Sequence, residues 1–567
     1  MRQIRAARRV RRAAAAVLVF LALPWAASAA SAAEPARLSA ADSLGYIVIP
    51  DLQTLLAHAE ATGNAIAPSA MPPGAAGTGL AQKLGLPGLE GLAARPILLV
   101  LLKGQGPMGP PRPIVFLPIK DASKDAKSYE SLLTGLNWKS RTAKGLLIAS
   151  STPEGLAAAA PLEAEYKRMA GTPVGHDLRL FLEMGRVMDA YGPMMQMGMD
   201  MAMAPKPSTD PAKKDSTPSP AVAKLLKAEV KAFLSVFGQV DHMQWDFDLQ
   251  GDGLLSDAVM AAKKGTPFDE LVRMPPAVPN RASALLAGTG LMTAAYQFDA
   301  ARLSAFLRAI LEPAANDAPE LLTPAVLELV DQLGVAYGSQ ASYRMASGPG
   351  GRLSVESVGE VKDEAKALAV LEKGIALVMP GGPWGSLLEE SKIAIGIQKN
   401  ARRHGGVAVH RMTVKPRAGT KPLTPAEKAA QAPFMRDTEF AITHGYYLSA
   451  QDAAGLDALI DRAVAGASGP GLALRAAQEF GEGRHGYVDY DIVGLMKAVS
   501  VMTPPAKGQP NPFASLPASA DPMLVAFTFS EGRMRWQSRF PLKSFSLMTD
   551  ATKKAAASPA PPPPRRP

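Results

Sequence analysis

The chain has 567 residues, 47% of them hydrophobic and 20% charged, which is enough apolar material to bury a core and more length than one ordinary domain needs. Its 61 basic residues exceed its 51 acidic ones by ten, but six arginines fall within residues 1–12, which leaves 55 against 51. This near balance argues against nucleic-acid binding, and the absence of cysteine excludes disulfides, thiolate metal sites and a cysteine nucleophile.

The N-terminus has the pattern of an export signal. An arginine-rich start is followed by the apolar stretch Ala13–Leu23 and then by the small residues of "PWAASAASAAEP". We therefore predict a signal peptide over residues 1–33 and export to the periplasm or beyond the cell. Eleven apolar residues are too few to span a bilayer, so we expect no stable transmembrane anchor after cleavage.

Five sequence landmarks occur twice in the same order, each a strand with the helix or turn that follows it, and this predicts an internal duplication. The first copies are Ala41–Ala61, Arg112–Leu133, Lys144–Leu162, Val174–Gly192 and His242–Lys263, and the second copies are Ala282–Ile310, Gly351–Gly374, His444–Val464, Gly483–Ser500 and Met523–Phe540. We predict an α+β fold of two related units, residues 37–268 and 274–547. Each unit is expected to be a mostly antiparallel sheet with helices packed on one face.

Two segments have little to bury and are predicted to be disordered. One is an insertion at 204–220, "APKPSTDPAKKDSTPSP", and the other is a Pro-rich tail at 549–567.

The order of these segments resembles an uncharacterised bacterial family of exported proteins, a domain of unknown function. The resemblance lies in "LSAADSLGYIVIPDLQTLL" after the signal, "MPPAVPNRASALLAGTGLMTAAYQFDAARL" in mid-chain, and the hairpins Trp245–Val259 and Phe527–Trp536. It covers nearly all of the mature chain. It implies an envelope protein and no assigned activity.

Recognised catalytic motifs are absent from the sequence. It contains no Gly-x-Ser-x-Gly elbow, Ser-x-x-Lys pair, His-Glu-x-x-His helix or phosphate-binding loop, and it has seven histidines. His404 and His410, in "RRHGGVAVHR", are best explained as two exposed residues flanking a turn, since metal binding would need further donors.

Three acidic clusters are candidates for a functional site. "DFDLQGDGLLSD", from Asp246 to Asp257, imitates a calcium loop, but the alternation of Met243, Trp245 and Phe247 favours a hairpin turn. "DYD" at 489–491 and "EES" at 389–391 offer paired carboxylates without a visible partner, so we interpret them as ordinary surface and strand-edge charges.

The remaining candidate is the methionine-rich stretch Met194–Met203, which holds six methionines in ten positions and is predicted to be helical. On a helix, two adjacent stripes form, and the candidate contacts for a ligand or partner are Met194, Met195, Met197, Met199, Met201 and Met203. Core packing is the simplest interpretation. An adaptable lid or contact surface for an apolar ligand or partner is the second, and a Cu(I) site of thioethers is the third.

These observations predict an exported, non-enzymatic binding or assembly protein of the cell envelope, for an apolar ligand such as lipid or for another envelope protein. No catalytic residue, cofactor, metal or nucleic-acid partner is expected. The alternatives are an exported hydrolase with a dispersed active site and a methionine-rich copper-binding protein.

Overall fold

The structure is a computed structural model that describes residues 37–203 and 220–557, except for positions 39, 85, 87, 107–108, 122–123, 136, 172–174, 349–352, 380, 386–392, 417–435, 467–470, 503–510 and 512. The predicted signal peptide, residues 204–219 of the predicted insertion, and the "EES" cluster at 389–391 lie outside the described residues.

In the first half of the described chain, the strands are β1 (Ser43–Ile49), β2 (Ile97–Leu102), β3 (Arg112–Pro118), β4 (Lys139–Ala143), β5 (Leu146–Ser150), β6 (Leu178–Leu182), β7 (Val240–Gln250) and β8 (Gly253–Ala262). The helices there are α1 (Leu52–Ile66), α2 (Ala75–Lys83), α3 (Asp125–Gly135), α4 (Pro153–Ala157), α5 (Ala159–Ala170), α6 (Met184–Met203) and α7 (Pro220–Gly238).

The second half contains the strands β9 (Met292–Gln297), β10 (Tyr337–Ser347), β11 (Leu353–Val361), β12 (Ile393–His404), β13 (Val407–Pro416), β14 (Thr438–Thr443), β15 (Tyr446–Ala450), β16 (Gly486–Tyr490), β17 (Met523–Ser530) and β18 (Arg533–Pro541). Its helices are α8 (Pro267–Val272), α9 (Arg281–Leu285), α10 (Ala300–Ala315), α11 (Pro324–Ala336), α12 (Glu364–Val378), α13 (Ala453–Val464), α14 (Arg475–Phe480), α15 (Ile492–Met502) and α16 (Leu542–Ala557).

An aspartate N-cap marks where helices α1 and α10 begin. Asp51 precedes α1 and accepts the backbone N–H groups of Gln53 and Thr54, and Asp299 precedes α10 and accepts those of Ala301 and Arg302. Each aspartate replaces hydrogen bonds that the first helical turn cannot make internally. The same cap therefore begins the helix after β1 and the helix after β9.

All described strands belong to one antiparallel sheet, which confirms the α+β class. From edge to edge the order is β4–β5–β3–β2–β1–β6–β7–β8–β18–β17–β16–β9–β10–β11–β15–β14–β13–β12. The first eight strands and the run β14–β15–β11–β10–β9–β16–β17–β18 follow equivalent orders. The hairpin of β12 and β13 is additional and extends the second edge.

The two halves of the sheet meet where β8 pairs with β18. Gly253 faces Pro541, Asp257 faces Gln537, and Ala261 faces Arg533. The turn end of the β7–β8 hairpin therefore lies beside the far end of β18, and the turn end of the β17–β18 hairpin lies beside the far end of β8. This is the register of two hairpins related by a two-fold rotation.

Helices cover both faces of the sheet, so the prediction of helices on one face was wrong. Along β5, Leu147 and Ala149 pack with residues of α3, whereas Leu146 and Ile148 pack with residues of α5. Strands such as "ILLVLL" and "LLIAS" are apolar at successive positions, and a strand with two apolar faces needs a cover on each.

The C-terminal boundary also differs from the prediction. Helix α16 runs to Ala557, so residues 549–557 of the predicted disordered tail are helical, and 558–567 lie outside the described residues. The Ala- and Lys-rich "ATKKAAA" favours a helix. Among the described helices, none combines the length and apolarity required to cross a membrane.

Candidate functional site

The methionine-rich stretch lies on α6, as predicted, and the helix divides into an anchored part and an exposed part. Met184 and Tyr191 are buried in the anchored part. Beyond Pro193, the side chains of Met195, Met197 and Met201 are 39%, 45% and 68% exposed. Core packing was therefore the wrong interpretation for these three methionines.

The other three methionines of the stretch do not add to this exposed surface in the described structure. Met194 is half-buried, and the side chains of Met199 and Met203 lie outside what the structure describes.

Pro193 has no N–H to donate to the Asp189 carbonyl one turn earlier, so the helix loses one internal hydrogen bond at the boundary between its two parts.

A glycine-rich loop at 103–111, of which the structure describes residues 103–106 and 109–111, is held against the part of α6 that precedes Pro193. The Tyr191 hydroxyl accepts the Gly104 N–H at 3.0 Å and donates to the Gly109 carbonyl oxygen at 3.1 Å. A Cβ atom on Gly104 would lie only 2.1 Å from that oxygen, so this close approach requires glycine. Tyr191 and this loop were not predicted as site components, although "KGQGPMGPP" is a clear loop signal.

A pocket of about 560 Å³ opens between this loop and α6. Its lining is mostly apolar, with one basic and one acidic side chain, and consists of Lys103, Gly106, Asp189, Ala190, Pro193, Met194 and Met197. We call this cavity the methionine pocket. Its volume falls within the range of about 300–1,000 Å³ typical of small-molecule sites.

Helix α7 supports α6 from the side and ties it to the second half of the chain. It packs against both α6 and α10. Ala228 is buried among residues from Ala314 to Leu377, and the Lys231 ammonium lies 2.6 Å from the Asp317 carboxylate. The hydrogen bond from Lys231 holds the pKa of Asp317 below its usual value, so this ion pair stabilises the docking of α7.

The predicted hairpin at "DFDLQGDGLLSD" is confirmed, and its acids form ion pairs on the sheet instead of a calcium loop. Asp246 accepts two hydrogen bonds from the Arg179 guanidinium, at 2.6 and 2.8 Å. Asp257 likewise binds the guanidinium of Arg535 on β18, with one bond of 2.7 Å. The Arg179–Asp246 pair lies beside the β8–β18 junction, and the Asp257–Arg535 pair spans it.

The two candidate histidines are not brought together. His404 lies at the β12–β13 turn, with Nε2 2.7 Å from the Asp461 carboxylate. His410 is buried and stacks on Phe440 with ring centroids 5.1 Å apart, so the expectation that both histidines are exposed was wrong. A bulge in β12 and the pairing of His410 with Phe440 on β14 place this ring inside the fold.

The "DYD" carboxylates serve as helix caps. Asp489 accepts the N–H groups of Arg475 and Ala476 at 2.6 and 2.9 Å, and Asp491 accepts that of Gly494 at 2.8 Å. Burial raises the pKa of Asp489. Both carboxylates are buried, so they differ from the exposed charges expected at a strand edge.

No group of three or more His, Cys, Asp or Glu side chains in the described part of the chain is arranged to hold a metal ion. Comparison of the chain with protein-family models, with curated proteins and with solved structures found no match. The resemblance to an uncharacterised exported family therefore stays an expectation.

Proposed function

We propose that this chain is an exported, non-enzymatic binding protein of the cell envelope that takes up an apolar ligand at the methionine pocket. The observation that carries the proposal is the exposure of Met195, Met197 and Met201 on a helix whose preceding turns are anchored. Clustered apolar side chains in contact with water lower their free energy when a ligand or partner covers them.

The lining of the methionine pocket indicates the kind of ligand. Methionine is flexible and polarisable, so Met194 and Met197 can adapt to chains of different shape and length. Lys103 and Asp189 are both exposed and lie on the same pocket, where they can contact a polar headgroup. A lipid-like amphiphile with a single acyl chain fits this distribution best.

Export is the second part of the proposal. Support comes from the arginine-rich start, the short apolar stretch and the small residues that precede Glu34. The absence of cysteine suits an oxidising envelope compartment, where free thiols do not persist. Expression of the full chain in a bacterium, followed by fractionation and N-terminal sequencing, tests this: an uncleaved chain in the cytoplasm would contradict it.

A duplicated architecture is the third part. The equivalent strand orders of the two halves, the two-fold register at β8 and β18, and the matching caps Asp51 and Asp299 support descent from one repeated unit. Helix α7 follows the β6–α6 segment, but the described second half has no helix between α15 and β17. We propose that the first unit acquired α7 as support for the methionine pocket.

Binding is tested with the mature protein and a fluorescent long-chain acyl probe. We expect saturable binding that weakens at least severalfold in a Met194→Gln/Met197→Gln variant and is retained in Met194→Leu/Met197→Leu, because leucine keeps the apolar lining. Met379→Gln is the matched control, since Met379 is an exposed methionine, 38% accessible, that does not line the pocket.

Two results would contradict the proposal. One is the absence of saturable probe binding by the mature protein, and the other is equal binding by the glutamine and leucine variants. Native mass spectrometry with Cu(I) under anaerobic conditions distinguishes the metal alternative: a stoichiometric copper adduct that is lost in the leucine variant would favour copper binding.

A further inference from the structure

The methionines of the described chain fall into contrasting environments. Met197 and Met201 are 45% and 68% exposed, whereas Met243, Met260 and Met534 are at most 5% exposed within the central core. Because the chain contains no cysteine, thioethers are its only sulfur groups. A small oxidant in solution therefore meets the sulfur atoms of α6 well before those of the core.

Hydrogen peroxide oxidises an exposed thioether by transfer of one oxygen atom. A lone pair on the thioether sulfur attacks one oxygen of hydrogen peroxide and forms an S–O bond, the O–O bond breaks, and the proton of the attacked oxygen passes to the departing hydroxide, which leaves as water. Sulfur is oxidised to the sulfoxide and the peroxide is reduced, so thioether and hydrogen peroxide give sulfoxide and water. Methionine sulfoxide reductases reverse the change, with separate enzymes for the two sulfoxide epimers.

We expect the exposed part of α6 to accept this change without loss of the fold. A sulfoxide on Met195, Met197 or Met201 stays in water, and the buried contacts of Met184 and Tyr191 that anchor the helix are untouched. Oxidation of Met260 or Met534 would instead place a polar group in the core, at a large cost in stability. The exposed methionines are therefore oxidisable sites that leave the fold intact.

The same change alters the methionine pocket. Met197 lines it, and a sulfoxide there replaces an adaptable apolar surface with a strongly polar S–O group. We propose that Met195, Met197 and Met201 form a site of reversible oxidation by peroxides, and that oxidation at this site lowers the affinity of the pocket for its apolar ligand. The change in ligand affinity rests on the proposed function, whereas the reversible oxidation of the three methionines does not.

The order of oxidation is tested by treating the mature protein with limiting hydrogen peroxide and quantifying sulfoxide in each methionine peptide by mass spectrometry. We expect Met195, Met197 and Met201 to be converted before sulfoxide is detected at Met243, Met260 or Met534, with an unchanged circular dichroism spectrum. Equal rates at exposed and buried positions would overturn the assignment of the site. Incubation with the two reductases is expected to restore the original mass, and failure to do so would overturn its reversibility.

The affinity change is tested on the same samples with the fluorescent acyl probe. Binding is expected to weaken severalfold on oxidation and to recover on reduction. In a Met195→Leu/Met197→Leu/Met201→Leu variant, peroxide should not lower probe affinity relative to that of the same variant before treatment, whereas Met379→Leu should show the same peroxide-dependent loss as the parent protein. Selective oxidation without loss of binding would overturn the affinity change. If the untreated protein does not bind the probe at all, the proposed function and the affinity change both fail, while the peptide data still decide the order of oxidation.

Discussion

The indole rings of Trp245 and Trp536 meet edge to face with centroids 5.9 Å apart, although Trp245 is on β7, Trp536 is on β18, and β8 lies between them. Ala258 on β8 pairs with both tryptophans and is fully buried, so its small side chain leaves room for the two rings. This contact joins the two halves of the chain at the β8–β18 junction.

The first prediction concerns this tryptophan pair. In a double-mutant cycle of Trp245→Leu and Trp536→Leu, we expect a coupling free energy of about 0.5–1.5 kcal/mol, the size typical of an edge-to-face aromatic pair. Chemical denaturation followed by circular dichroism measures it. Trp384 packs in a different cluster and bonds the Leu321 carbonyl oxygen, so Trp384→Leu with Trp536→Leu should be additive. Additivity of the Trp245 and Trp536 changes would refute the coupling.

Much of the strand arrangement could be predicted, because it depends on local patterns. The alternation of Met243, Trp245 and Phe247 predicted the β7–β8 hairpin, and the pattern of an apolar strand, an aspartate and an amphipathic helix predicted β1 with α1 and β9 with α10. Helices on the second face were missed although "ILLVLL" is apolar throughout. The signal was present, and a continuous apolar run should have been interpreted as a strand buried on both faces.

The features that could not be predicted depend on contacts distant in sequence. His410 is buried because Phe440, on another strand, covers its ring. Met197 is 45% exposed and lines a pocket together with Lys103 and Gly106 from a distant loop, and no periodicity in α6 itself records this. A helix pattern shows which side chains share a face, but the cover of that face is decided by tertiary packing.

The second prediction concerns the ion pair across the junction. Arg535→Met removes the guanidinium that pairs with Asp257 and leaves a carboxylate with only 15% of its side chain exposed. We expect a loss of about 1–3 kcal/mol in the free energy of unfolding, measured by urea denaturation, because a largely buried charge loses its main partner. The double variant Asp257→Asn/Arg535→Met should recover part of this loss, and a double variant no more stable than Arg535→Met would contradict the explanation.

The third prediction is a pH dependence that involves His176. The hydrogen bond to Asp248, 2.7 Å from Nδ1, raises the pKa of His176, and burial opposes this effect. Because the pKa is higher in the folded state, the stabilisation is complete below the unfolded value of about 6.5 and is lost as pH rises through the folded pKa. The Tm difference between the parent protein and His176→Gln should therefore shrink as pH increases above 6.5.

An NMR titration of the His176 ring checks the cause of this pH dependence. Asp248→Asn removes the carboxylate, so the titration midpoint of His176 should fall in that variant. A midpoint that does not move would show that Asp248 is not responsible for the raised pKa.

The fourth prediction tests whether the Tyr191 hydroxyl maintains the methionine pocket in addition to stabilising the fold. Tyr191→Phe leaves the buried Gly104 N–H without its acceptor, so we expect a loss of about 1–3 kcal/mol in unfolding free energy and weaker binding of the acyl probe, because the 103–111 loop loses its attachment to α6. Tyr166→Phe is the matched control: the Tyr166 hydroxyl donates to the Pro96 carbonyl oxygen at 2.9 Å, and Tyr166 does not line the pocket. This control should lower stability without changing probe affinity. Equal effects of the two variants on probe affinity would show that the loop attachment does not shape the pocket.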